Sequence, residues 1–207
     1  MAWYDVFARF YDASLEPLYR EQRIIAVNAL DLRVESRVLD LPCGTGASFA
    51  GLRGQGSRVL GLDQSIGMVR EANSRIAREA WTGISVAQRD ARTVGTEEVA
   101  GLLGGRPDRL HVFLGTTVFD EPAETLAHLW DLLVPGGRAV FVDVHADPPG
   151  IQGRMVEWIA RADLRRKAWE FLANRGEGFE RRDLPTKAQH GGQMWLATAT
   201  KRAERPT

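Results

Sequence analysis

Apolar residues along this chain follow two rhythms that take turns. Short runs of branched aliphatics, "SRVLDL", "SRVLGLD", "GISVAQRD", "RLHVFLGTTVF" and "RAVFVDV", each suit a buried strand. Between them lie longer stretches whose apolar positions recur as one face of a helix. The first, "EPLYREQRIIAVNAL", aligns Leu18, Ile24, Ile25, Val27 and Leu30. "ASFAGLRGQG" predicts a short helix ended by glycines. "SIGMVREANSRIAREA" predicts an amphipathic helix with Ile66, Met68, Val69, Ala72 and Ile76 turned inward. Residues 92–107 give a weaker helical pattern broken by "GG" and Pro107. "DEPAETLAHLWDLL" starts with acids and with Pro122 near its first position, and "VPGG" stops it.

Strict alternation of this kind predicts an α/β chain whose parallel sheet is covered by helices on both faces. Beyond "HADPPG" the rhythm changes to one long helical pattern over 151–175. Two further strands follow, "GFERRDLPTK" and "GGQMWLATATK", with turn formers and no helix between them. They should pair as a C-terminal antiparallel hairpin, giving seven strands, mostly parallel. The pattern predicts a single domain over 1–207: an N-terminal helical cap at 1–34, a core at 35–145, and a substrate-side helix with the hairpin at 146–207.

Composition narrows the chemistry. At 207 residues with a formal net charge of zero, the chain can bury one sizeable core and has no global field to gather nucleic acid or an anionic surface. Its single cysteine, Cys43, excludes an intramolecular disulfide and suits a reducing, cytoplasmic location. The histidines at 111, 128, 145 and 190 have no zinc spacing, so no metal is expected. "MAWYDVFARFYDASLEPLYR" lacks the basic and apolar regions of a signal peptide, and no run approaches the ~20 apolar residues that span a bilayer.

The turn "LDLPCGTGASF" at 39–49 follows the first strand, where ligands of doubly wound sheets collect. Gly44 and Gly46 let a backbone lie close to a ligand. A dinucleotide fingerprint fails at its third glycine, because Phe49 occupies that place; a P-loop fails for want of Gly-Lys-Ser or Gly-Lys-Thr. Asp40 would repel a pyrophosphate and suit a cation. Asp63, ending the second strand, can accept from both hydroxyls of a ribose. Asp90, ending the third, can accept from an adenine amine while the Ala91 N–H donates to the ring.

With "VLDLPCGTG", "VLGLDQSIGMVREA", "RDA" and "LLVPGGRAVFVDV" in that order over roughly residues 35–145, the chain resembles the class I S-adenosylmethionine (SAM) dependent methyltransferases. The segment "YDVFARFYD" resembles the Tyr-Asp segments of the ubiquinone/menaquinone biosynthesis and phosphatidylethanolamine N-methyltransferase type. The resemblance implies a Rossmann-like fold with SAM as cofactor and S-adenosylhomocysteine as product. It implies that Asp40 serves the methionine amino group, that the Gly44–Thr45–Gly46 backbone runs beside the methionine and ribose, and that Asp63 holds the ribose. Gln64 and Met68 would flank the adenosine, Asp90 and Ala91 would read the adenine, and Tyr4, Tyr11, Leu114 and Gly115 would close over the methionine end. Pro42 departs from the family's glycine. Its φ is fixed near about −65°, so either the turn needs no positive φ there or the pocket is altered.

The expected reaction is in-line displacement at the sulfonium methyl by an amine or oxygen, less readily a carbon, of a small molecule or lipid head group. Competing readings are a non-catalytic methyltransferase-like binding module, an NAD-dependent Rossmann oxidoreductase, and a protein or RNA methyltransferase with a broad groove. Cys43 lies in the cofactor turn, not after the fourth strand, so it reads as a small buried residue and not as a cytosine C5 nucleophile. His145, just after the fifth strand, is the candidate general base, against a plain loop histidine. Residues 151–175 interleave arginines with Trp158, Trp169 and Phe171. They read as a helix packed on the sheet or as a membrane-surface lid, which would make the protein peripheral to a membrane.

Overall fold

A computed structural model gives the three-dimensional structure, and it describes residues 17–203. Helix α1 covers 17–29 of the described chain. Then come β1 (Arg37–Asp40), α2 (Phe49–Leu52), β2 (Arg58–Asp63), α3 (Ile66–Arg78), β3 (Ile84–Gln88), α4 (Thr96–Leu103) and β4 (Arg109–Phe113). They are followed by α5 (Pro122–Leu132), β5 (Arg138–His145), α6 (Ile151–Ala160), α7 (Trp169–Arg175), β6 (Gly176–Asp183) and β7 (Gln193–Lys201).

The seven strands form one sheet in the order β3-β2-β1-β4-β5-β7-β6. β1 to β5 run parallel, and β7 alone is reversed, pairing antiparallel with β5 on one side and β6 on the other. Strand order therefore reverses between β1 and β4, which opens a crevice at their carboxyl ends. The expected Rossmann-like sheet with its C-terminal hairpin is what forms.

Period-two alternation in the strands feeds two cores. Leu39, Leu60, Leu110, Phe141 and Trp195 face the helices α4, α5 and α7, packing with Val99, Leu129 and Leu172. Val38, Val59, Val140, Val142 and Leu196 face the other way, toward Ala26 of α1 and Leu30 just after it, Phe49 of α2 and Ala72 of α3. Burial on both faces is why the central strands are almost wholly apolar.

One expected element divides. The long pattern over 151–175 is two helices: α6 ends where Arg161 turns left-handed, at φ 52°. The loop that follows is stitched to the sheet, Ala146 N–H donating to Leu164 O and Asp163 N–H to Thr117 O, and Leu164 is buried. Backbone bonds to the sheet outweigh continued helix there. Asp163 also accepts from the Arg165 N–H, a local turn that competes with helix.

Candidate active site

The glycine turn after β1 is built by short-range bonds. Cys43 N–H donates to Leu62 O at the end of β2, Gly46 N–H to Cys43 O, and Phe49 N–H to Gly46 O. Positive φ falls on Gly44 (55°) and Gly46 (76°), and Pro42, joined to Leu41 by a cis bond, is not asked for it. The two glycines are needed for different reasons. A Cβ on Gly44 would meet nothing within 4 Å and would project into open space, a cradle that glycine keeps free for a ligand. A Cβ on Gly46 would lie 2.5 Å from the Phe49 ring. That ring, fully buried, also fills the space over Gly61 of β2, so Phe49 wedges helix to strand where a dinucleotide fold uses a third glycine.

Asp63 leaves the end of β2 beside this turn. Its two oxygens accept from Gly44 N–H and Ser65 N–H, each at 2.9 Å, while Ser65 itself caps α3 through Met68 N–H. Burial raises its pKa; the Ser65 and Gly44 N–H groups oppose the rise and Asp40 adds to it. With two of about four lone pairs taken, the carboxylate keeps acceptor capacity for two hydroxyls. Asp90 is arranged differently. Its oxygens take the Arg92 backbone N–H at 2.9 Å, the Arg92 guanidinium at 2.9 Å and Gln64 Nε2 at 3.3 Å. The bond from the Arg92 side chain leads in holding its pKa below the ordinary value. Arg92 must give way before Asp90 can accept from a base.

These groups line a cavity of about 410 Å³, a size usual for small-molecule sites. Pro42, Gly44, Thr45, Asp63, Gln64, Met68, Asp90, Ala91 and Leu114 are brought together in its wall. Gly46 lies beneath them against Phe49, and Gly115 lies behind Pro42. Leu114 takes a left-handed φ of 55° as the chain leaves β4. Tyr4 and Tyr11 fall outside the described residues. Cys43 also lines the wall, its thiol pushed well up by burial, then by Asp63 and Asp40, which is the inert state expected of it.

Two residues singled out by sequence stand away from the cavity. Asp40 is buried under the turn with His111, its partner in the β1–β4 register, and Oδ1 meets His111 Nδ1 at 2.7 Å. His145 is the last residue of β5 and does not line the cavity; it stands edge-on to Trp169 with ring centroids 5.0 Å apart. Its ring is held against Trp169 of α7, so the structure does not bring it to the cavity.

The other end of the cavity was not foreseen. Tyr19 and Arg23, one turn apart on α1, reach it together with Phe113, Val144, Val156 and Leu164. Tyr19 meets Phe113 edge-on, and the Arg23 guanidinium lies 5.0 Å from the centre of the same ring. Asp143 closes the floor with its oxygens on four donors: Thr116 Oγ1, Thr117 N–H, Thr117 Oγ1 and Val144 N–H. A lone acid near the end of the apolar run "RAVFVDV" was the sequence signal for it. Burial lifts the Asp143 pKa, and burial followed by the Asp143 charge pushes the Tyr19 hydroxyl up to about 12.

An adenosine-like ligand fits these donors and acceptors. The open cradle over Gly44 and the spare acceptors on Asp63 suit a ribose and its neighbour. No group of metal-ligating side chains occurs among the described residues.

Comparison with known proteins agrees. Residues 10–189 match the family model described as a methyltransferase domain. The chain is 27% identical over 171 residues to a demethylmenaquinone methyltransferase of Thermobifida fusca (strain YX), covering 83% of this chain and 69% of that one. It is 28% identical over 126 residues to a protein of the same name from Clavibacter sepedonicus, covering 61% of this chain and 48% of the relative. Among solved structures, N-methyltransferase NodS from Bradyrhizobium japonicum WM9, in complex with S-adenosylhomocysteine, superposes with a TM-score of 0.68 at 18% identity over 92% of this chain and 90% of that one. At such identity the likeness speaks for the fold alone. The chain belongs to the methyltransferase-domain family, with the fold of the class I SAM-dependent enzymes.

Proposed function

We propose that this domain transfers the methyl group of SAM to an amine or oxygen, in preference to carbon, of a small molecule or lipid head group that carries an apolar body. The observation that carries this is the two-ended cavity, polar and adenosine-compatible from Gly44 to Ala91, aromatic and aliphatic from Tyr19 to Leu164. A protein or RNA acceptor would be better served by an open groove. SAM supplies the electrophile, a sulfonium methyl, when bound.

The chain's own residues then have three tasks. Asp63 accepts the ribose hydroxyls, and the Gly44 backbone lets the methionine end lie against the turn. Tyr19, Phe113, Val144, Val156 and Leu164 exclude water and hold the acceptor in line with the methyl; alignment of this kind supplies most of the rate. Neither Asp143, with its acceptors engaged, nor Tyr19, protonated up to about pH 12, is set to take a proton during transfer, so an oxygen acceptor loses its proton to solvent before it enters and a methylated amine loses its proton to solvent after it leaves. Arg23 favours an acceptor that reaches the methyl already deprotonated at oxygen or as a neutral amine.

Calorimetry with S-adenosylhomocysteine and with NADH tests the cofactor. Homocysteine-adenosyl binding is expected, weakened about 100-fold by Asp63→Ala through loss of two charge-assisted hydrogen bonds; binding of NADH in its place overturns the reading. Incubation with methyl-labelled SAM and fractionated extract tests the acceptor, with label expected in lipid or small metabolites. Label confined to protein or RNA contradicts the proposal.

A further inference from the structure

Seven large apolar side chains stand in solvent among the described residues, and four of them are on α6: Ile151 (79% exposed), Met155 (55%), Trp158 (79%) and Ile159 (40%). Their spacing of four, three and one places them on a single stripe of the helix. The helix is inside out. Its inward face is made of small or medium residues: Gly153, whose missing Cβ would strike Gly191 O at 2.5 Å, with Val156 and Ala160, which line the cavity. α7 shows the contrast, because Trp169 and Phe171 pack against the core and Leu172 is buried.

Charge says what the stripe meets. Arg154 and Arg161 flank it along one edge, both exposed, and Arg161 also lines the cavity. Over residues 147–170 the chain carries Arg154, Arg161, Arg165, Arg166 and Lys167 against Asp147, Glu157, Asp163 and Glu170, and Arg166 is turned inward to Thr116 O and Phe119 O. Glu157 is spent on Arg165, and Asp163 on Arg166. A stripe of tryptophan, isoleucine and methionine edged with arginines is the chemistry of a helix lying in a lipid interface, where the ring seats at the head groups and guanidiniums reach anionic ones.

We propose that α6 docks on an anionic lipid bilayer through Ile151, Met155, Trp158 and Ile159, with Arg154 and Arg161 on the lipid phosphates. This rests on the proposed use of an apolar or lipid acceptor. One face of the helix then lies in the bilayer while the other lines the cavity, so an acceptor dissolved in lipid passes around a single helix to reach the methyl. Met155 and Trp158 bind lipid, not substrate.

Flotation of the full chain with vesicles tests the surface. The protein is expected to float with phosphatidylcholine–phosphatidylglycerol vesicles, and several-fold less with phosphatidylcholine alone or at high salt. The double variant Met155→Ser/Trp158→Ser is expected to lose at least about tenfold in vesicle partition, since two large side chains no longer leave water. Its affinity for S-adenosylhomocysteine stays at the wild-type value, which separates docking from the cofactor site. Absence of flotation overturns the proposal, as does equal flotation of the variant. So does a wild-type dimer that the double substitution dissociates while neither protein floats, because the stripe then serves a second copy.

Discussion

Pro42 and Gly115 occupy one shared volume. A Cβ on Gly115 would lie 2.3 Å from Pro42 Cδ and 3.1 Å from Val112 and Phe119, although Gly115 needs no positive φ. The proline in the β1 turn has filled space that a side chain after β4 would otherwise use. Gly115→Ala should therefore destabilise by about 1–3 kcal/mol through overpacking. Adding Pro42→Gly should recover part of that loss, giving a favourable coupling in a double-mutant cycle read by urea denaturation. Strict additivity would show that the ring and the glycine do not share the space. Sequence alone located Asp63, Gly44 and the failure of the fingerprint at Phe49, because strand ends and glycine spacing are local signals. It left Pro42 open, since its partner is 73 residues away and nothing local links them.

Among elements, the loop after β4 depends on a residue of β5. Thr116 and Thr117 give Asp143 two hydroxyls and a backbone N–H, and these bonds set the exit of the chain into the cavity wall. Asp143→Asn replaces an acceptor with an NH₂ group facing at least one fixed backbone donor. The expected cost is about 1–3 kcal/mol in urea denaturation, with weaker S-adenosylhomocysteine binding because Leu114 and Thr117 shift together. Unchanged stability would mean that the hydroxyls simply reorient. The central strands were legible as elements because burial on both faces writes them as nearly unbroken aliphatic runs. The division of 151–175 was not, because both halves keep helical spacing and the break comes from bonds to Thr117 and Ala146 far away in sequence. His145 misled for a related reason: the apolar run suggested a position just after the strand, but β5 runs on through it, paired with Gln193 of β7, and its ring meets Trp169, which is distant in sequence.

At the scale of the molecule, the hairpin and α1 clasp one another beside the cavity. His190, buried in the turn before β7, stacks on Tyr19 with centroids 4.9 Å apart. Its Nδ1 accepts from Lys187 N–H at 3.1 Å and its Nε2 reaches Leu18 O at 3.3 Å, so the neutral ring, protonated on Nε2, joins hairpin to helix. Gln22 adds a bond to Pro185 O. Burial leads in lowering the His190 pKa below 6.5, the Lys187 charge contributes, and the Leu18 carbonyl opposes. Above that value both folded and unfolded chains carry a neutral ring. As pH falls through it, the unfolded chain takes up a proton first, so stability drops until the folded ring also titrates. Protonation would also strip the Lys187 N–H of its acceptor. Between about pH 8 and about pH 5 the wild-type Tm should therefore fall further than that of His190→Asn, which starts lower but has no ring to titrate. Parallel Tm curves would show that His190 does not carry this linkage. Because the folded ring stays neutral while only the unfolded chain titrates, the Tyr19 stack should persist across this range, so S-adenosylhomocysteine affinity of the folded protein should hold while Tm falls.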